Sequence, residues 1–247
     1  MSNYFWGMMV CLSALILSAC TLGADADVSP SNHERHEKKQ IDDGDGYELR
    51  PEIENVNDHL DYTNSDLKTI YFAGGCFWGV EAYMQRMYGV SETSAGYANG
   101  TGENPSYEDV IRGEDGFVET VEVTYDPERV SLETLIDRLF FVIDPTSENR
   151  QGNDVGIQYR TGIYYTDEQD TDIIATAVEN EQTYYDKKIV TETEPLDAYY
   201  LAEDMHQDYL AKNPNGYCHI NLNIVDEFTI DPIPEDESLI RSLSVDD

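Results

Sequence analysis

The chain has 247 residues, a formal net charge of −35 and a hydrophobic content of 40%. That length holds one ordinary domain with tails or two small ones, and the apolar content suffices for a core. The charge argues against nucleic acid, since neutralising phosphates takes Lys and Arg, which together number only 15.

The first segment reads as a leader. Tyr4 to Ala24 carries no charge, and its apolar centre is VCLSALILSAC, Val10 to Cys20. Ser18 and Ala19 precede Cys20, as at a secretory cleavage site. LSAC (Leu17 to Cys20) also resembles the lipobox of bacterial lipoproteins, which implies a lipid on Cys20 and a mature chain starting there. No Lys or Arg precedes Leu12, and the first basic residue is Arg35. An uncleaved transmembrane anchor is therefore the alternative, since about 20 apolar residues span a bilayer. Both readings predict an exported protein. Residues 21–66 are polar and acidic without an apolar period, and are expected to be a linker. Its His33, His36 and His59 suggest no fixed metal geometry. Folded sequence is expected over 67–223, followed by an acidic tail over 224–247.

Within the folded part, the run TIYFA (Thr69 to Ala73) predicts a strand leading into GGCFWG (Gly74 to Gly79). Val80, Tyr83, Met84 and Met87 then keep helical spacing up to Gly89. A strand is predicted over Glu92 to Tyr97, and a stronger one over Phe117 to Tyr125. Alternation puts Phe117, Glu119, Val121, Val123 and Tyr125 on one face, and Val118, Thr120, Glu122 and Thr124 on the other. Ser131 caps a helix carrying Leu132, Leu135, Ile136, Leu139, Phe140 and Ile143, up to Asp144-Pro145. A Gly152–Gly156 loop precedes a predicted strand over Ile157 to Tyr165. Thr166 and Gln169 suggest a capping box for a helix reaching Tyr185. A short strand over Ile189 to Thr193 and a helix over Asp197 to Ala211 complete the order. Strands and helices out of strict alternation predict an α+β fold, a mixed or antiparallel sheet with helices packed on it in two layers.

The chemistry centres on cysteine. Cys11 lies in the leader and Cys20 at its end, which leaves Cys76 and Cys218 in the folded part. They read either as a structural disulfide of an exported binding module or as a redox pair. Cys76 falls at a helix start, where unpaired N–H groups favour a thiolate. That field supplies about 0.3–1 kcal/mol, less than the 1.36 kcal/mol of one pKa unit, so further activation must come from substrate or a neighbour. The flanking glycines permit close approach of backbone or ligand. Glu119, on the more apolar face of its strand, is a candidate neutral acid. Asp154 opens a strand on which Tyr159 could aim a phenol inward, and Tyr97, among small residues, suits an exposed donor. Cys218 lies in the loop NPNGYCH, mobile enough to approach a second thiol. Cys76 with His206 or His219 could alternatively form a thiol hydrolase pair. His219 has no second ligand at zinc spacing.

These motifs in this order, GCFWG with Glu81, AGY, GFVE, GNDVGIQYR and HQDYLAKNPNGYC, resemble the A-type peptide methionine sulfoxide reductases. The resemblance covers Leu67 to about Asn223. It implies Cys76 as nucleophile, Glu119 as proton donor, Tyr97, Asp154 and Tyr159 as a supporting network, and Cys218 as recycling cysteine. Phe77 and Trp78 match the family's apolar pocket for the substrate methyl. Many members have His at the position of Phe117, and some carry a further recycling cysteine that is missing here. The implied activity is reduction of the S epimer of methionine sulfoxide in proteins or free. No bound cofactor or metal is implied. A thioredoxin-like dithiol would be the electron donor, and the expected form is a monomer.

Overall fold

A computed structural model describes residues 55–222. The leader with Cys20, the linker up to residue 54 and the tail beyond Leu222 lie outside the described residues. The last twelve residues assigned to the linker pack onto the fold. A 3₁₀ turn, Val56–His59, is capped by the Asn55 side chain. The Asn57 amide donates to the carbonyls of Gln85 (3.0 Å) and Met87 (2.9 Å) and accepts from the Gly89 N–H. Asn57 therefore satisfies the chain where it leaves the first helix, and ordered contacts begin before Leu67.

The elements are β1 Lys68–Gly74, α1 Phe77–Met84, β2 Val90–Ala98, α2 Tyr107–Arg112, β3 Val118–Tyr125, α3 Leu132–Val142, β4 Arg150–Gln151, β5 Asp154–Val155, β6 Thr161–Tyr165, α4 Thr171–Gln182, β7 Glu192–Pro195, β8 Tyr199–Leu201 and α5 Tyr209–Lys212. Six strands form one sheet in the order β7-β6-β1-β3-β2-β8, and β4 pairs with β5 in a separate hairpin. All pairings in the large sheet are antiparallel except β6 with β7. This is the expected α+β class.

One face of the sheet meets the helices. Ile70 and Phe72 from β1, Val121, Val123 and Tyr125 from β3 and Ile163 from β6 pack with α1, α3 and α4. The opposite face carries a smaller cluster of Tyr71, Ala73, Ala98, Val118 and Tyr164. The two residue sets of β3 thus divide as alternation predicts, and Glu119 shares the helix side with Val121. α1 is buried almost all round, Glu81 included, because it lies at the centre of the molecule. The Ser131 cap is present, with its side chain accepting from the Thr134 N–H at 3.1 Å.

Four expectations differ. Ile157–Tyr159 is a 3₁₀ turn, and β6 starts only at Thr161, so Tyr159 does not lie on a strand face. The Thr166 capping box is not what starts the following helix. Asp167 caps a 3₁₀ turn, Glu168–Asp170, by accepting from the Gln169 N–H, and α4 follows from Thr171. The short strand lies three residues later, as β7. The helix expected over Asp197 to Ala211 is β8, a turn and one helical turn, α5. There the free edge of β2 supplies hydrogen bonds that a helix would forgo: Ala98 pairs with Tyr199 and Gly96 with Leu201.

Candidate active site

Cys76 stands between the end of β1 and the first residue of α1, and is 6% exposed. Gly75 before it has φ +86°, and a Cβ there would lie 2.6 Å from the Gln151 Cβ. Gly79, one turn on, leaves space for the other thiol: a Cβ there would lie 2.9 Å from the Cys218 Sγ. Two of the glycines around the cysteine thus admit parts of this chain, rather than substrate alone. Cys76 and Cys218 are both free and buried.

Glu119 reaches the same point from β3. Its Oε2 accepts from the Phe77 N–H, in the first turn of α1, at 3.0 Å. Burial pushes its carboxyl up to about 8, against the pull of that hydrogen bond and with a further rise from Asp154. Glu119 is therefore a neutral acid at neutral pH. Burial also pushes the Cys76 thiol well above its ordinary range, and Glu119 adds to the rise. The expected help from the helix start is outweighed: the Trp78 N–H, which opposes the rise, is the smaller influence.

The aromatic side is a packed cluster. The Phe77 ring lies 5.8 Å from Tyr97 and 5.3 Å from His206. The half-buried Trp78 stacks on Tyr209 at 3.7 Å, and its indole N–H donates to the His206 Nδ1 at 3.1 Å. That bond requires Nδ1 to be unprotonated, and burial lowers the His206 pKa. The spacing of His206 and Tyr209, three residues apart in HQDYL, was the signal for this wall. Both histidines considered as hydrolase partners are otherwise engaged, since the His219 Nε2 bonds the Gly74 carbonyl at 3.0 Å.

The phenols do not fall as expected. Tyr97 is fully buried rather than exposed, and its OH donates to the Glu203 Oε2 at 2.8 Å. Tyr107, which sequence reasoning missed, is a phenol beside the Cys76 and Glu119 pair. It feels the charges of both Glu119 and Cys76, and its OH takes a hydrogen bond from Tyr159. Burial raises Tyr159, and Glu119, Tyr107 and Cys76 raise it further, so it faces the centre despite being on a turn. The signal for Tyr107 was the capping box one residue earlier: Ser106 accepts from the Asp109 N–H, and the Asp109 carboxylate accepts from Ser106. That box starts α2 and aims the first residue of the helix.

Asp154 comes from the β4–β5 hairpin. The Gln151 side chain ties this hairpin to Asp144, accepting from its N–H and donating to its carbonyl, both at 2.8 Å. Burial raises the Asp154 pKa, and the hydrogen bond from the Tyr217 OH at 3.2 Å works against that. The Cys218 thiol donates to the Ile220 carbonyl at 3.1 Å, and burial pushes it up to about 12. Among the described residues, no group of three or more His, Cys, Asp or Glu could hold a metal ion.

A buried thiol beside a protonated carboxyl, with a second thiol packed one helical turn away, defines a thiol-dependent oxidoreductase. Residues 68–236 match the family described as peptide methionine sulfoxide reductase, a match that extends into the stretch expected as tail. The chain is 58% identical, over 158 residues, to the peptide methionine sulfoxide reductase MsrA of Alkaliphilus metalliredigens, covering 64% of this chain and 100% of that protein. In fold it is similar to the reduced form of Mxr1 from Saccharomyces cerevisiae, with a TM-score of 0.60, 36% identity, and coverage of 68% of this chain and 98% of that one. It is equally similar to methionine sulfoxide reductase A of Corynebacterium diphtheriae, with a TM-score of 0.60, 36% identity, and coverage of 73% and 92%. The chain belongs to the peptide methionine sulfoxide reductase family, and is an oxidoreductase.

Proposed function

We propose that the chain reduces the S epimer of methionine sulfoxide by the steps that follow. The observation that carries the reading is Glu119, buried and held by the Phe77 N–H beside the Cys76 thiol, where burial pushes its carboxyl up to about 8. The substrate S-methyl group enters the wall of Phe77 and Trp78, where burial contributes about 0.8 kcal/mol per methylene-sized group. As the Cys76 sulfur bonds to the sulfoxide sulfur, Glu119 gives its proton to the sulfoxide oxygen and takes up the thiol proton. Tyr107, which accepts from Tyr159 and so keeps its own phenolic proton free, is placed to donate to the same oxygen. The substrate sulfur–oxygen bond and the new sulfur–sulfur bond then break as the hydroxyl oxygen bonds to the Cys76 sulfur, so methionine leaves and Cys76 is left as a sulfenic acid. Because both thiol and acid enter neutral, burial does not have to be paid twice before substrate binds.

Cys218 then forms the disulfide with Cys76, and water leaves with the hydroxyl and the Cys218 proton. A thioredoxin-like dithiol reduces that disulfide and restores both thiols. Supporting the location reading is LSAC with Cys20: the protein is an exported lipoprotein, acting as a monomer on oxidised exported proteins. Detergent partition and the mass of the mature N-terminus check that part, against the uncleaved anchor.

The chemistry is tested by supplying each epimer of a peptide methionine sulfoxide with excess dithiol. Methionine should form from the S epimer alone, and not at all with Cys76→Ser, whose hydroxyl is a far weaker nucleophile. Equal turnover of both epimers would overturn the pocket assignment.

A further inference from the structure

His219 follows the recycling cysteine, is 4% exposed, and takes no part in the steps above. Its ring reaches back across the site. Nε2 lies 3.0 Å from the Gly74 carbonyl oxygen, at the end of the strand that delivers Cys76. A carbonyl can only accept, so Nε2 carries the proton and donates. The fit is close: a Cβ on Gly75 would lie 3.0 Å from that Nε2, and a Cβ on Gly152 would lie 3.3 Å from the His219 Cβ. The other ring nitrogen, Nδ1, is buried with no hydrogen-bond partner, 3.8 Å from the Asp154 Oδ2. A buried acceptor left bare calls for an explanation beyond packing. The segment around Cys218 is thus held on both sides, by Tyr217 to Asp154 and by His219 to Gly74.

From this geometry we infer that His219 is a positioning residue for disulfide closure, latching the Cys218 segment to the turn that carries Cys76. The inference rests on the recycling role proposed above for Cys218. Closure forms one bond between the Cys76 and Cys218 sulfurs and breaks the bond between the Cys76 sulfur and its hydroxyl. The hydroxyl leaves as water with the Cys218 proton, and no outside oxidant or reductant takes part. In the dithiol state the Cys218 thiol is turned to the Ile220 carbonyl, with its sulfur against Gly79. With the backbone pinned at Gly74, the Cys218 segment is kept beside the turn that carries Cys76 and need not be ordered before closure. Fixing a reacting group before the encounter removes an entropic cost from the step.

The test separates the two half-reactions in the full chain, with one equivalent of peptide methionine S-sulfoxide and no reductant. Methionine is followed by quenched flow, the sulfenic acid by dimedone trapping, and the Cys76–Cys218 disulfide by peptide mass. His219→Phe keeps the ring and loses both nitrogens. His219→Asn is polar but too short to reach Gly74, and His219→Gln can place an N–H near the position of Nε2. In the Phe and Asn variants, methionine should form at the wild-type rate while disulfide closure slows at least tenfold and dimedone adduct accumulates. The Gln variant should recover most of the closure rate. Wild-type closure in a folded Phe or Asn variant would overturn the latch, and so would slowed methionine formation in either. Should the Phe variant fail to fold, the contrast between Asn and Gln decides. Failure of the unsubstituted protein to yield methionine would instead overturn the proposed function.

Discussion

Glu119 is 2% exposed, and burial holds its carboxyl up to about 8, so it enters the reaction carrying the proton it must deliver. The protonated form is the active one. The single-turnover rate should therefore be level below about pH 7 and fall as pH rises through the Glu119 pKa. Glu119→Gln keeps the shape and an acceptor for the Phe77 N–H but has no proton to transfer. Methionine formation should fall by roughly 10²-fold or more, and the alkaline limb assigned to Glu119 should disappear. Glu122 is the control on the other face, where it accepts from Tyr71 at 2.7 Å and Ser94 at 3.1 Å. Glu122→Gln should leave the rate near that of the parent; equal losses at the two positions would refute the division of faces. The burial of Glu119 was legible because a carboxylate among valines on an alternating strand is an anomaly. The phenols were not: Tyr97 and Tyr107 look alike in sequence, and only the hydrogen bond of Tyr97 to Glu203 tells them apart. Glu203 also accepts from the Tyr107 N–H at 2.9 Å. Burial opposes its ionisation, yet these hydrogen bonds keep its carboxyl below the ordinary range. The group that occupies Tyr97 thereby fixes the start of the helix bearing Tyr107.

Between elements, the same contrast holds. α3 and β3 could be read directly, because periodicity and burial agree in them. The stretch after Asp197 could not, since Tyr199–Leu201 takes its structure from the edge of β2 rather than from its own sequence pattern. What ties this late stretch to α1 is Glu81. Its Oε2 accepts from the Asp208 N–H at 2.9 Å, at a residue held at φ +50° just before α5. Burial pushes Glu81 up to about 8 from an ordinary 4.5, Asp208 adds to the rise, and its Oε1 has no partner. The folded pKa is raised, so the associated stability is complete below about 4.5 and is lost as pH rises through about 8. The slope for one such group is about 1.4 kcal/mol per pH unit across that interval. Glu81→Gln retains an oxygen for the Asp208 N–H but cannot ionise. Its melting temperature should fall less than that of the parent between pH 6 and pH 9, with activity at pH 7 preserved (both conditions chosen around the shift). Parallel melting curves for the two proteins would show that Glu81 is already ionised in the fold at pH 6 and that its pKa is not raised.

Across the whole molecule, the question is why two cysteines far apart in sequence meet, and the fold answers with separate layers. Cys76 is delivered by the central strand β1 into the buried α1, while Cys218 arrives after α5, from a loop laid over the site. A staple and a redox pair both need this meeting, but they differ in what happens when Cys218 is lost. Here neither sulfur supports the fold through a bond: both are free thiols, and the layers are held by the core and by contacts such as Glu81 to Asp208 and Asn57 to Met87. Cys218→Ser should therefore stay folded and, in a single turnover, still produce about one methionine per enzyme, because Cys76 and Glu119 remain. It should then stop at a sulfenic acid that dimedone traps, since no further cysteine follows Cys218 in the sequence. Added small thiols should restore slow turnover by attacking that sulfenic acid directly. A structural disulfide makes the opposite forecast: oxidised parent protein would be markedly more stable than Cys218→Ser, and the substitution would leave multiple turnover unchanged. A folded Cys218→Ser that made no methionine would place Cys218 in the reductive step itself, and would remove it from the recycling role.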